Sequence, residues 1–340
     1  MRGNSSFVEI LSENRLQCLL CPHRCVLKEG DVGRCGTRKH HKQRLQVLTH
    51  GRFSAVAVDP VEKKPLSHYR PGTLTYSLGT AGCNMICPFC QNASLSQCPA
   101  TGGFDATEIP YTPPEHVVRD ALNRRCQSIS FTYSEPILAL EYALEIAPLA
   151  QAAQLDLIFV TNGQVTEAPL HDLCRILRAA NVDLKSFQPT IYKRTLGGEL
   201  DTTLNTIRQL HQAGVWVEVT TLIVPGMNDS DEELTNIAEF IAGVAPSIPW
   251  HVSRFHPAYK SRNTGPTAAD VIYRALEIGA SAGLEYVYAG NLPGQRGENT
   301  YCPNCKDVVV DRTGYRVRAV RTQHGACARC GYGIAGVGFS

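Results

Sequence analysis

No stretch of the chain approaches 18 consecutive apolar residues, so a membrane-spanning helix is not expected. The opening Met1-Arg2-Gly3-Asn4-Ser5-Ser6 leads only to a short apolar patch broken by Glu9, too weak for a signal peptide, which makes the cytoplasm the default. An excess of either charge is also missing. Against 33 Lys+Arg stand 31 Asp+Glu, a formal net charge of +2, which gives no general case for nucleic-acid or anionic-membrane binding. Charged residues are only 19% and the hydrophobic class 43%, a globular balance rather than a disordered or fibrous one. Low-complexity tracts and fixed-period repeats are absent, and no Gly-x-Gly-x-x-Gly follows the first core strand, which counts against dinucleotide binding. The 340 residues suit one large α/β domain with appendages or two ordinary domains.

Cysteine is what the chain does have. Random placement of its 14 would give roughly half a Cys-x-x-Cys pair. Four occur: Cys18/Cys21, Cys87/Cys90, Cys302/Cys305 and Cys327/Cys330. In a reducing compartment this spacing reads as metal ligation. Cys98, Cys126 and Cys174 lie outside the three clusters and are expected to be small buried hydrophobes.

From about Leu74 to Gly290 short apolar runs alternate with amphipathic segments. Strands are expected at Leu74–Leu78, Ser128–Thr132, Leu155–Val160, Val182–Lys185, Val215–Ile223, Trp250–Arg254 and Glu285–Tyr288. Helices are expected near Pro114–Arg125, Ile137–Ala153, Ala168–Ala180, Asp201–Ala213, Asp231–Ala242 and Ala268–Ala282. Ser230 with Glu233 forms a capping box before Gly243, and Thr267 with Asp270 resembles one before Gly283. Strand–helix repetition means a parallel sheet with right-handed crossovers, curled into a partial or full barrel or laid out as an open doubly wound sheet. This divides the chain into an N-terminal cysteine-rich segment (1–72), a core (73–293) and a C-terminal segment (294–340). Asn291–Gly297 is the expected linker.

The loop Gly79-Thr-Ala-Gly-Cys-Asn-Met-Ile-Cys-Pro-Phe-Cys-Gln-Asn92 follows the first core strand and carries Cys83-x3-Cys87-x2-Cys90. Three thiolates on one loop suit an iron–sulfur cluster with one iron left open, which catalysis needs; a zinc knuckle short of a ligand is the competing reading. The motif resembles that of the radical S-adenosylmethionine superfamily, in which Cys-x3-Cys-x2-aromatic-Cys holds a [4Fe–4S] cluster, with Phe89 at the aromatic position. Within it the chain resembles the pyruvate formate-lyase activating enzyme branch. Asp59-Pro-Val-Glu-Lys-Lys-Pro-Leu-Ser-His-Tyr-Arg-Pro-Gly72 and Pro249-Trp-His-Val-Ser-Arg-Phe-His-Pro257 resemble, more closely, the AmmeMemoRadiSam system radical SAM enzymes. The fold so implied is a (β/α)6-type partial barrel flanked by cysteine-rich metal-binding segments.

In such a barrel functional residues gather at the C-terminal strand ends. Thr132–Pro136, Thr161–Gly163, Asp183–Lys185, Val224–Asp229 and Phe255–Pro257 all fall there, beside the cysteine loop. By resemblance Glu135 belongs to the segment that engages the methionine amino group of S-adenosylmethionine, although Tyr133 and Ser134 replace its two glycines. Asp183 and Lys185 match an Asp-x-Lys motif that holds the cofactor's ribose and carboxylate, with a structural ion pair as the alternative. His256 resembles a cofactor-contacting histidine, and Asn162 lies beside the mouth. His251 reads equally as a core or a functional histidine, while Lys63, Lys64 and His68 receive no role.

At the C-terminus Cys302, Cys305, Cys327 and Cys330, placed across a hairpin turning at Arg312–Gly314, suit a tetrahedral zinc site. Six Lys/Arg against two Asp follow Cys302, yet without an aromatic stacking pattern nucleic-acid binding is not expected. Cys18, Cys21, Cys25 and Cys35 could take zinc or a second cluster; the spacing does not decide, and a structural metal is favoured. The resemblance implies an enzyme that cleaves S-adenosylmethionine reductively to a 5′-deoxyadenosyl radical for hydrogen abstraction. A flavodoxin or ferredoxin would supply the electron, and Memo-like and Amme-like proteins would be partners. A glycyl-radical-enzyme activase is the second enzyme reading, and a non-catalytic iron–sulfur or zinc protein for electron transfer or nucleic-acid binding the reading of another class.

Overall fold

The computed structural model describes residues 3–102, 104–292 and 297–339. Its central sheet has eight strands: β1 (Ala55–Pro60), β2 (Leu74–Gly79), β3 (Ser128–Phe131), β4 (Asp156–Thr161), β5 (Ala179–Asp183), β6 (Trp216–Ile223), β7 (Trp250–Arg254) and β8 (Val287–Gly290). They lie side by side in chain order, with β1 and β8 as the two edges. Strands β2 to β8 pair in parallel, and β1 runs antiparallel to β2. Same-handed crossovers between successive neighbours put the connecting helices on one face, leaving the other to line a partial barrel. Among the described residues no helix is long and apolar enough to cross a membrane.

Several expected boundaries move. β5 begins at Ala179, and the helix before it, Glu167–Ile176, stops short of the expected Ala180. Ala179 and Ala180 favour a helix locally, but between β4 and β6 both are fully buried, and tertiary pairing overrides propensity. Ser230 caps Asp231–Val244 through a 3.3 Å bond from the Glu233 amide, while the Glu233 carboxylate turns away to the Phe187 amide, so only half the box forms. That helix runs past Gly243. Thr267 caps nothing: its hydroxyl accepts from the Phe255 amide at 3.0 Å and donates to the Ile223 carbonyl, stitching the ends of β6 and β7. Of the three scattered cysteines only Cys126 is buried; Cys98 and Cys174 are intermediate.

The segment Val61–Gly72, whose Lys63, Lys64 and His68 received no role from the sequence, closes the N-terminal end of the barrel. Leu66 and Tyr69 pack on Ile158 of β4 and Ala179 of β5. Asn181 donates to the Pro65 carbonyl at 2.8 Å, and the Glu218 carboxylate accepts from the Ser67 and His68 amides at 2.9 and 2.7 Å. His251 lies 2.7 Å from the same carboxylate, which gives it a structural partner. Lys63 and Lys64 both bond Asp59 of β1, at 2.8 and 2.7 Å.

The C-terminal piece locks this floor. Val337 bridges to Tyr69, and the His68 ring spans the Ala335 carbonyl at 2.7 Å and the Tyr288 hydroxyl at 2.6 Å. Its hairpin pairs Val308–Thr313 with Arg316–Val320, so the turn is at Gly314–Tyr315 and the strand continues through Arg312. Arg312 is buried, not part of a basic surface, and donates to the Ser67 carbonyl at 2.6 Å and the Thr300 hydroxyl at 2.7 Å. Most of the expected linker, residues 293–296, lies outside the described residues.

Burial pulls the His68 pKa down to about 4, against an unfolded value near 6.5. The unfolded chain therefore takes up this proton first. The stability contributed by neutral His68 is complete above about pH 6.5 and is lost as pH falls toward 4, up to about 3 kcal/mol. The urea midpoint is expected to fall across that window; a flat midpoint from pH 7 to 4.5 would contradict a neutral buried His68.

Candidate active site

At the end of β2 the chain must pass very close to the N-terminal segment. Gly82 has φ +102°, and a Cβ there would lie 2.4 Å from Thr37 Cγ2 and 3.0 Å from the Cys35 carbonyl oxygen, so only glycine fits. Beyond it Cys83, Cys87 and Cys90 line one cavity of about 270 Å³ together with Phe89. Polar groups already address the sulfurs. The Met85 amide lies 3.4 Å and Asn162 Nδ2 3.7 Å from Cys83 Sγ, and Ser96 Oγ is 3.2 Å from Cys90 Sγ. Burial raises the Cys83 thiol well above its ordinary pKa and pushes Cys87 up to about 11, with Lys185 opposing the shift at Cys87.

Glu135, Asn162, Asp183 and Lys185 line the same cavity, so three of the five strand-end motifs expected there meet the cysteine loop, while Val224–Asp229 and Phe255–Pro257 do not line it. Glu135 is engaged from within. One carboxylate oxygen accepts from the Thr161 hydroxyl at 2.6 Å and the Ile137 amide at 3.1 Å, and the other from the Asn162 amide at 2.8 Å. Burial outweighs these bonds and lifts its pKa to about 7. Its visible work is to hold the β4 loop. Lys185 Nζ lies 2.8 Å from Asp183 Oδ2. The Lys185 backbone is clamped by the Tyr192 hydroxyl, which accepts from its amide at 3.1 Å, and by Asn228, which donates to its carbonyl at 2.8 Å. His256 is not brought in: it is exposed and does not line the cavity, and its carbonyl accepts from Gln91 at 2.9 Å.

Tyr133 stands where the superfamily motif has glycine and keeps a glycine-like backbone, with φ +71°. Its hydroxyl bonds Asp59 at 2.5 Å and Lys64 Nζ sits 4.5 Å from its ring centre, which gives the two lysine-rich-segment residues a place beside the site. Sequence reasoning missed Thr220, Leu222 and Ser253, which also line the cavity; their signal was the period-two alternation along β6 and β7. Ser253 and Asn291 wall a second cavity too, of about 260 Å³, whose far side is formed by Glu62, Lys63 and Arg312.

Away from the mouth, the sulfurs of Cys302, Cys305, Cys327 and Cys330 all lie within 4.8 Å of one another, the one such group of His, Cys, Asp or Glu ligand atoms among the described residues. Cys302–Cys330 is 3.6 Å and Cys305–Cys327 3.7 Å, close enough for one shared ion.

A parallel barrel with a three-thiol loop at its mouth, faced by a carboxylate–ammonium pair, defines a class of enzyme that anchors a metal-bound cofactor at its strand ends. The radical SAM superfamily profile matches residues 77–241. Uncharacterized protein MJ0808 of Methanocaldococcus jannaschii is 36% identical over 330 residues, 96% of each chain. Pyruvate formate-lyase 1-activating enzyme of Escherichia coli strain K12 is 23% identical over 161 residues, 47% of this chain and 65% of that protein. The solved structure of Streptococcus suis SuiB superposes over 68% of this chain and 50% of its own, at 13% identity and TM-score 0.47. The chain belongs to the radical SAM superfamily and is a radical SAM enzyme.

That family implies a [4Fe–4S] cluster and S-adenosylmethionine. The donor set fits. Three thiols face one cavity, their sulfurs do not all fall within 4.8 Å as a single ion would require, and amide and hydroxyl donors are in place to support thiolates.

Proposed function

We propose that the protein binds S-adenosylmethionine against a cluster held by Cys83, Cys87 and Cys90 and uses it to abstract hydrogen from a substrate at the barrel mouth. The observation that carries this is the single cavity shared by those cysteines with Asp183 and Lys185. When bound, cluster and cofactor supply the electron and the reductive bond cleavage. The protein does the positioning. Lys185, fixed through its backbone by Tyr192 and Asn228, presents an ammonium to a carboxylate, and Asp183 presents acceptors to hydroxyls. Glu135 holds Thr161 and Asn162 in place, and Phe89, 3% exposed, helps exclude water around the thiolates. The adjoining cavity, through its shared Ser253 and Asn291 wall, offers the place for a substrate.

The two segments resembling AmmeMemoRadiSam enzymes support Memo-like and Amme-like partners, and a one-electron carrier of the flavodoxin or ferredoxin kind fits the chemistry. An activase acting on a partner's glycine takes second place. The pyruvate formate-lyase 1-activating enzyme favours it, but over less than half of this chain. Anaerobically reconstituted, reduced protein is expected to convert S-adenosylmethionine to 5′-deoxyadenosine and methionine; chromatography showing no more product than a protein-free control would overturn the reading.

For the C-terminal quartet the same proposal names zinc. A Zn–S bond of about 2.3 Å sets a tetrahedral edge of about 3.8 Å, near the sulfur separations found. Elemental analysis is expected to find one zinc per chain, lost with Cys327→Ala/Cys330→Ala while reductive cleavage persists.

A further inference from the structure

The N-terminal quartet is the cysteine cluster that the function leaves unused. Cys18, Cys21 and Cys35 are buried and Cys25 is half-buried. A tight turn gathers three of them: the Cys18 amide donates to the Cys25 carbonyl at 2.9 Å, and the Arg24 amide to the Cys21 carbonyl at 3.1 Å. The backbone at Gly33 sits between two of them, a Cβ there falling 3.8 Å from Cys25 Sγ and 3.9 Å from Cys35 Sγ. Yet no three of these sulfurs lie mutually within 4.8 Å, whereas all four of the C-terminal quartet do.

That difference separates two kinds of centre. One tetrahedral ion gathers four thiolates at edges of about 3.8 Å. A four-iron cluster gives each thiolate its own iron at a separate corner, which spreads the sulfurs to roughly 6 Å or more. Among the described residues neither the N-terminal quartet nor Cys83, Cys87 and Cys90 forms a group as tight as one shared ion requires. The two sets share a supporting donor as well: Thr37 Oγ1 lies 3.2 Å from Cys35 Sγ, as Ser96 Oγ lies 3.2 Å from Cys90 Sγ.

Its location is the second observation. His23, between Cys21 and Cys25, lies with Nε2 2.7 Å from the carbonyl oxygen of Asn84, the residue after Cys83. The Cys35 carbonyl and Thr37 press on Gly82, the residue before Cys83. Two of the thiol-bearing turns therefore touch the catalytic loop on both sides of its first cysteine.

We propose that Cys18, Cys21, Cys25 and Cys35 hold a second, all-thiolate iron–sulfur cluster seated directly beside the one on Cys83, Cys87 and Cys90. Four thiolates close this centre to S-adenosylmethionine, so it is a neighbour of the catalytic cluster and not a second catalytic one. The inference rests on the radical SAM reading only for its neighbour.

The test counts metal and reads magnetism in the full chain reconstituted anaerobically with iron and sulfide. Wild type is expected to hold about eight irons and eight sulfides. Cys83→Ala/Cys87→Ala/Cys90→Ala is expected to keep about four, assigned to the N-terminal quartet. Cys18→Ala/Cys21→Ala/Cys25→Ala/Cys35→Ala is expected to keep the other four, with an electron paramagnetic resonance signal that S-adenosylmethionine perturbs. Wild type reduced with dithionite is expected to show spin–spin splitting that both variants lack. About four irons and two zincs in wild type, or no iron in the triple variant, would overturn the second cluster. Eight irons without splitting would overturn its place beside the first. If the quadruple variant does not fold, the wild-type and triple-variant counts still decide. Failure of the radical SAM reading would look different: the iron remaining in the quadruple variant would not respond to S-adenosylmethionine.

Discussion

With Cys83, Cys87 and Cys90 replaced together by alanine, formation of 5′-deoxyadenosine is expected to fall to the level of a protein-free control. The loss should be complete because three thiolates are the loop's whole donor set and no other His, Cys, Asp or Glu ligand atoms form a tight group with them among the described residues. Folding should survive. Each change deletes one buried or half-buried sulfur from a loop whose course is fixed by Gly82 and by the Ile86 amide on the Leu196 carbonyl. Circular dichroism checks the fold, iron and sulfide analysis the cluster, and chromatography the product. Retained product in a folded triple variant would remove the cluster from this loop and end the assignment.

Lys185→Met and Asp183→Asn are expected to weaken S-adenosylmethionine binding by about 10- to 100-fold, the range for one charge-assisted hydrogen bond. The two should not be equal. Lys185 also lowers the pKa of Cys87, so its loss removes a cation from the thiolates as well as from the cofactor, and leaves Asp183 without its 2.8 Å partner. Asp183→Asn keeps a hydroxyl acceptor and should be the milder change. Isothermal titration of cluster-loaded protein measures both; wild-type affinity in the pair of variants would reduce Asp183 and Lys185 to a structural ion pair in the cavity wall.

The strand order and the mouth were legible because they rest on local pattern. Apolar runs separated by amphipathic segments gave seven of the eight central strands, and polar motifs at their ends gave Cys83, Glu135, Asn162, Asp183 and Lys185 in one cavity. What escaped was decided at long range. Ala179 and Ala180 read as helix until neighbouring strands bury them. Arg312 read as surface charge because its partners, Ser67 and Thr300, lie 245 and 12 residues away. Antiparallel β1 and the floor of Val61–Gly72 had no periodicity to announce them, since a segment threaded across strand ends follows their spacing and not its own. Motif position placed His256 at a strand end, and its side chain there is exposed and outside the lining of the cavity.

The floor bears on how the chain can reach this state. Val61–Gly72 is synthesised before β3 to β8 exist, whereas Ala335 and Val337, which help to fasten it, follow all of those strands. The 267 residues separating His68 from Ala335 make this closure one of very high contact order. Its entropy cost grows only slowly with length, about (3/2)RT ln n, but it is met before the contacts it brings together can repay it. The barrel is therefore last secured from below, once the segment that follows β8 has docked. Until then the cover over Ile158 and Ala179 is held only by its bonds to Asp156, Asn181 and Glu218, which leaves that apolar surface more readily opened to solvent and to other chains.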